Sequence, residues 1–237
     1  MKKYIPDCIT SINLICGIIG VVFAFKGRLD IAFILMLAAS AADFLDGFAA
    51  RALDAYSDMG KELDSLSDLV SFGVLPSVML YNLSGTCMFG ESWVSWVPLV
   101  ITLASGLRLA KFNVDERQSA GFLGLPTPAS ALLCGSLCYY VASDPASFLA
   151  DWCAGPVFIP VISLCLSFLL LSEIPMFSFK FHKDDPSALK IKRMALAGLV
   201  LAAILVCVFC RLNWSVVILL TLVCYILKNL VYAILKI

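Results

Sequence analysis

Asp43-Phe-Leu-Asp46-Gly47-Phe-Ala-Ala50-Arg51-Ala-Leu-Asp54-Ala-Tyr-Ser57-Asp58-Met-Gly60-Lys-Glu62-Leu-Asp64-Ser-Leu-Ser-Asp68 carries seven of the chain's 17 acidic residues. Four of them, Asp43, Asp46, Asp64 and Asp68, fall inside apolar runs of membrane-spanning length. A carboxylate there costs roughly 3 kcal/mol at mid-bilayer and less near the interface, so it must face a polar cavity, a cation or another polar group. Asp43, Asp46, Gly47 and Ala50 stand at i, i+3, i+4 and i+7 and share one helix face. Asp64 and Asp68, at i and i+4, share another. The link Leu53–Gly60 is short, so the two helices are antiparallel neighbours and their acidic faces meet at one end. Four convergent carboxylates make an oxygen-only set suited to a hard divalent cation, Mg²⁺ or Mn²⁺. Gly47, Ala49, Ala50 and Gly60 keep bulk away from the acids, and Arg51 is placed to grip a phosphate with its fork of donors. Cations, an arginine and small residues together describe a diphosphate clamp. Asp54, Asp58 and Glu62 read as solvated loop charge.

The rest of the sequence supplies the apolar setting. Of 237 residues, 61% are hydrophobic and 14% charged, with a mean hydropathy of +0.96. A soluble domain is about half apolar and about a quarter charged. The excess is spread along the chain, which reads as an all-α polytopic membrane protein forming one domain over 1–237. Spans of about 20 residues fit near 7–25, 29–52, 62–83, 93–112, 124–143, 155–173, 194–210 and 213–235, about eight in all. The basic start, Met1-Lys-Lys, has a signal-like look. The apolar stretch after it is long enough to span the membrane, so it reads as a retained first helix. A net charge of +0 offers no basic surface, and no nucleic-acid partner is expected.

Lys and Arg set the topology, because cytoplasmic loops retain positive charge. With an even number of spans and the N-terminus inside, that side holds Lys2, Lys3, Arg51, Lys61, Arg108, Lys111, Arg117, Lys180, Lys183, Lys190, Lys192, Arg193 and Lys236. The other side keeps Lys26, Arg28 and Arg211. Both termini are expected in the cytoplasm, and the acidic cluster with them. The inside loop 174–193 mixes aromatic and basic residues, which suits either a headgroup-level segment or ordinary inside charge. Most of the ten cysteines lie in apolar runs as small hydrophobes. Cys87 and Cys153 fall in expected loops.

The string Asp43-x2-Asp46-Gly47-x2-Ala50-Arg51-x8-Gly60-x3-Asp64-x3-Asp68 resembles the signature of the CDP-alcohol phosphatidyltransferases at every defined position. The resemblance implies that Asp43, Asp46 and Asp64 bind metal, and that Asp68 binds metal and serves as the catalytic base. Two divalent cations, Mg²⁺ or Mn²⁺, would bridge the diphosphate of CDP-diacylglycerol. Gly47, Ala50, Arg51, Ser57 and Gly60 would contact that substrate, with Thr10 and Asn13 of the first helix lining the cytidine pocket. For Thr10 and Asn13, helix–helix hydrogen bonding is the other reading. Many members carry Asn where this chain has Asp7. Relatives are commonly homodimers, so a homodimer in a cell inner membrane is expected, with the active site facing the cytoplasm.

The acceptor is read from the segment about 104–130. Leu107-Arg108-Leu-Ala-Lys111-Phe-Asn113, followed by Gly121-Phe-Leu-Gly-Leu-Pro126, is similar to the phosphatidylserine synthase branch. The resemblance implies L-serine as acceptor, with Arg108, Lys111 and Asn113 in its site. Lys111 replaces the commoner Arg and loses the fork geometry. Glycerol 3-phosphate or an inositol phosphate would also suit Arg108 and Lys111. A divalent-cation transporter, the rival class, would spread its acids through the bilayer depth with paired broken helices. Here all four lie at one depth, and no internal repeat is visible.

Overall fold

A computed structural model describes residues 4–87, 93–114, 122–176 and 213–235. Helix α1 (Tyr4–Phe25) leads by a tight turn into α2 (Leu29–Leu53). α3 (Asp58–Asp68) then runs through a π-helical segment, Leu69–Val74, into α4 (Leu75–Cys87). A 3₁₀ turn over Trp93–Leu99 precedes α5 (Val100–Val114). Further along come α6 (Thr127–Ser143), α7 (Phe148–Ala154), α8 (Phe158–Leu171) and α9 (Ser215–Leu235). The strands β1 (Phe122–Leu123) and β2 (Pro175–Met176) form one antiparallel pair, with Phe122 opposite Met176.

Among the described residues, four helical segments are long and apolar enough to cross a membrane: Tyr4–Phe25, Leu29–Leu53, Asp58–Gly85 and Trp93–Val114. α7 and α8 make a fifth if taken as one span, although they bend by 88°. These segments coincide with the first four expected spans, and the protein is a helical membrane protein. α6, with 17 residues, is about 25 Å long, and Ser215–Val231 within α9 is an apolar helical stretch. The expected span 194–210 and most of the loop 174–193 lie outside the described residues. Cys87 and Cys153 lie in helices, not in the loops expected for them.

Small residues draw the first helices together. α1 buries Pro6, Thr10, Asn13, Gly17, Gly20 and Ala24, a stripe at helical spacing. A Cβ on Gly17 would lie 3.1 Å from the Cα of Ser71, so α1 meets the π segment backbone to backbone. Without a hydrophobic drive between helices in lipid, such close approach is what holds them. α2 closes at Asp54, a left-handed residue at φ 49° whose N–H caps Ala50. Aspartate tolerates that conformation better than most side chains. Ser57 then caps α3, accepting a hydrogen bond from Gly60 N at 2.9 Å. The turn between α2 and α3 is therefore short and ordered, and the two acidic faces come together.

Nothing in the local sequence announces the π segment. One added residue turns the helix by about 100°, so the face bearing Asp64 and Asp68 is out of phase with the face of α4. Hydroxyls satisfy the disturbed backbone. Ser77 and Thr102 both donate to the Gly73 carbonyl, at 2.7 and 3.2 Å.

The strand pair fastens the segment before α6 to the end of α8. Leu125 N donates to the Leu169 carbonyl and Gly124 N to that of Ile174, both at 2.9 Å. The first of these bonds satisfies an acceptor that the end of α8 would leave open. Gly124 adopts φ 77°, and a Cβ there would lie 2.6 Å from the Ser172 oxygen and 2.8 Å from that of Leu170. Gly124→Ala should destabilise the protein by about 2 kcal/mol or more. Thermal unfolding in detergent measures this, and Gly85→Ala, where a Cβ meets open space, is the control.

Candidate active site

Helices α2 and α3 bring the acids together as their spacing requires. Asp43, Asp64 and Asp68 each offer a carboxylate oxygen, and the three oxygens lie within 4.8 Å of one another. Asp46 is buried one turn along α2 from Asp43, outside that tightest group. No lysine or arginine forms an ion pair with any of the four among the described residues. Asp46 Oδ2 and Asp64 Oδ1 are buried without a hydrogen-bond partner. Unpaired, crowded carboxylate oxygens in a shielded site are unstable unless something positive joins them. The donor set fits a hard divalent cation.

Around this group the structure places the other expected residues at varied distances from the acids. Arg51 is exposed and folds back over Gly47, its Nη1 being 3.5 Å from where a Gly47 Cβ would stand. It forms no ion pair among the described residues. Thr10 is buried, donates to the Pro6 carbonyl at 3.0 Å and lies against Asp46. Asn13, fully buried, donates from Nδ2 to Asp68 Oδ1 at 3.3 Å. Ala50 is half-buried on α2. Gly60 has Asp7 and Ser57 so near that a Cβ would meet Asp7 Oδ1 at 2.8 Å. Asp7 is thus a neighbour of the α3 N-terminus. Ser57 is committed to its cap, and Asp54, Asp58 and Glu62 are exposed, with Asp58 in the first turn of α3.

The three residues expected at the acceptor separate. Arg108 is 7% exposed, and its Nη1 donates to Thr127 Oγ1 at 2.9 Å. Its Nε has no partner, and both Asp68 and Tyr225 lie within its electrostatic reach. Lys111 instead points outward to Glu173 in an exposed ion pair at 2.8 Å. Asn113 ties α5 to α3: its Nδ2 donates to Ser65 Oγ at 2.8 Å, and its carbonyl accepts from Lys61 Nζ at 3.2 Å. Of the three, Arg108 is the one turned toward the acids.

This geometry has counterparts. The model of a family described as CDP-alcohol phosphatidyltransferase matches residues 3–172. The chain belongs to that family. It is 32% identical over 184 residues to the CDP-diacylglycerol–serine O-phosphatidyltransferase of Bacillus subtilis, covering 77% of this chain and 95% of that one. The protein of the same name from Mycobacterium leprae is 36% identical over 183 residues, 73% of this chain and 58% of that longer relative. The archaetidylserine synthase of Methanothermobacter thermautotrophicus is 34% identical over 166 residues, 69% of this chain and 67% of the relative. Members of this family generally use divalent metals, in keeping with the acidic group found here.

Some residues of the site do not stand out in the sequence. Thr127 opens α6 and reaches Arg108 across the fold, which no local pattern reveals. Tyr225 and Asn229 are buried on α9, where Asn229 Nδ2 donates to the Tyr225 carbonyl at 2.9 Å. Their signal is present all the same, since polar side chains in an apolar span mark function or helix contacts.

A cation in this group should stabilise the fold by linkage, about 2.7 kcal/mol when its concentration is 100 times Kd. Mn²⁺ should therefore raise the melting temperature measured in EDTA. Asp64→Asn removes one crowded, unpaired carboxylate, so in EDTA that variant should melt at or above the unaltered protein. With Mn²⁺ the order should reverse.

Proposed function

We propose that this protein transfers the phosphatidyl group of CDP-diacylglycerol to the hydroxyl of L-serine, releasing CMP and forming phosphatidylserine. The reaction would take place at the cytoplasmic face of a cell inner membrane. The observation that carries the acceptor is Arg108: a buried guanidinium with unused donors, no ion pair among the described residues, and Asp68 in electrostatic reach. A planar fork of that kind is matched to a carboxylate. Serine docked there by its carboxylate would present its hydroxyl toward Asp68. The names of the relatives support the same acceptor.

Asp43, Asp46, Asp64 and Asp68 would hold two divalent cations, whose bound charge offsets that of the diphosphate and of the departing CMP. Asp68 accepts the proton of the serine hydroxyl. The serine oxygen forms a bond to the phosphorus on the diacylglycerol side, and the bond from that phosphorus to the CMP oxygen breaks. Gly47, Ala50 and Gly60 leave room for the diphosphate, and Arg51 swings from its place over Gly47 to a phosphate oxygen. Thr10, beside Asp46, lines the nucleotide side, with Ser57 fixing the α3 N-terminus. Lys111 and Asn113 act at the rim, as ties to Glu173 and to α3. The whole chain works as one domain with about eight spans, both termini in the cytoplasm, and as a homodimer.

Asp68→Asn should lower CMP release by about 10²–10⁴-fold while CMP still binds. Arg108→Lys keeps the charge but loses the fork, so the KM for serine should rise about tenfold or more, with little change for CDP-diacylglycerol. An acceptor comparison on purified protein with Mn²⁺ decides the substrate. CMP release with glycerol 3-phosphate or inositol phosphate, and none with serine, would overturn the serine assignment.

A further inference from the structure

The geometry points to Asn13 as a positioning residue for Asp68, with Ser71 as the latch that holds Asn13 in place. This rests on the reading of Asp68 as the base. Asn13 supplies the one hydrogen bond that Asp68 receives among the described residues, Nδ2 to Oδ1 at 3.3 Å. Its own main-chain oxygen accepts from Ser71 Oγ at 3.0 Å. Ser71 stands in the π segment just after Asp68, so base, amide and latch form a closed loop between two helices. Gly17, one turn further along α1, has no space for a side chain against Ser71, so α1 packs close against the π segment there.

The chemistry of the amide suits this task. A carboxylate has two oxygens. With Oδ1 held by Asn13, the second oxygen is left for the acceptor's proton, with Arg108 in electrostatic reach of the carboxylate. A lysine or arginine in that position would hold the carboxylate more strongly but would pair with its charge and weaken it as a base. An amide donates a hydrogen bond without adding charge and does not take up the proton. The opposite amide orientation would set oxygen against the carboxylate, so donation is the arrangement that electrostatics favours.

The discriminating measurement separates kcat from nucleotide affinity. Asn13→Leu keeps the branched shape and the number of side-chain heavy atoms and removes the donor. In the full chain with CDP-diacylglycerol, serine and Mn²⁺, kcat should fall about 10–100-fold. The KM for CDP-diacylglycerol, and the Kd for CMP by calorimetry, should stay within about twofold, while the melting temperature falls modestly because Asp68 loses its hydrogen bond. Ser71→Ala should lower kcat less, and adding it to Asn13→Leu should cost little more, because both act through one chain of contacts. A normal kcat in Asn13→Leu, or a loss confined to KM and CMP affinity, would overturn the inference and return Asn13 to the nucleotide pocket. If Asn13→Leu does not fold, Ser71→Ala decides by the same split. Failure of the underlying reading looks different: the unaltered protein would then show no serine-dependent CMP release.

Discussion

Three carboxylate oxygens held within 4.8 Å of one another form the constraint on which the rest of this structure depends. Like charges at that distance repel, and burial strengthens the repulsion. The fold must therefore supply the force that keeps Asp43, Asp64 and Asp68 together when no cation is bound. It does so with close helix contact. Gly17 and Gly20 on α1 bring Ser71 and Leu75 against its backbone, and Asp54 and Ser57 pin the turn that joins the two acidic helices. The rigidity that resists the repulsion also presents a ready-made oxygen cage, so little reorganisation is needed when a cation arrives.

The same region tolerates an irregular helix in a setting that normally forbids one. Backbone groups in a bilayer must be satisfied within the protein. At Leu69–Val74 the usual ladder shifts by one residue, and Ser77 and Thr102 answer for the Gly73 carbonyl. π segments are frequent at functional sites. Here the segment begins directly after Asp68. It lets α4 pack its large side chains Leu75, Met79 and Leu80 into the core without turning Asp64 and Asp68 away from the acidic group.

On α5, burial sorts residues that look alike in sequence. Arg108 and Lys111 are three positions apart, which on a helix is about 60° short of a full turn. That offset is enough for one to lie inside against Thr127 while the other meets Glu173 at the surface. Arginine suits the inner place because it stays charged when desolvated and arrays its donors in a plane. Lysine suits the outer place because its flexible stem reaches solvent and a partner together. Neighbouring cations thus take separate places, one turned inward near Asp68 and one tying α5 to the stretch after α8.

Local spacing and composition determined much about this protein. The apolar excess required a membrane protein, the spacing of Asp43, Asp46, Asp64 and Asp68 required a shared acidic site, and the first four helical segments lie where runs of about 20 apolar residues put them. These features depend on contacts between residues near in sequence or on solvent preference, so they are visible without the fold. The tertiary structure decided the rest. It singled out Asp43, Asp64 and Asp68 as the tightest group, gave Asn13 to Asp68, gave Thr127 to Arg108 and turned Lys111 outward. Each of those partnerships spans helices that meet only after packing, and hydropathy does not specify which polar atom faces which. The π segment belongs with them, because its extra residue is stabilised by Thr102, a hydroxyl from a different helix.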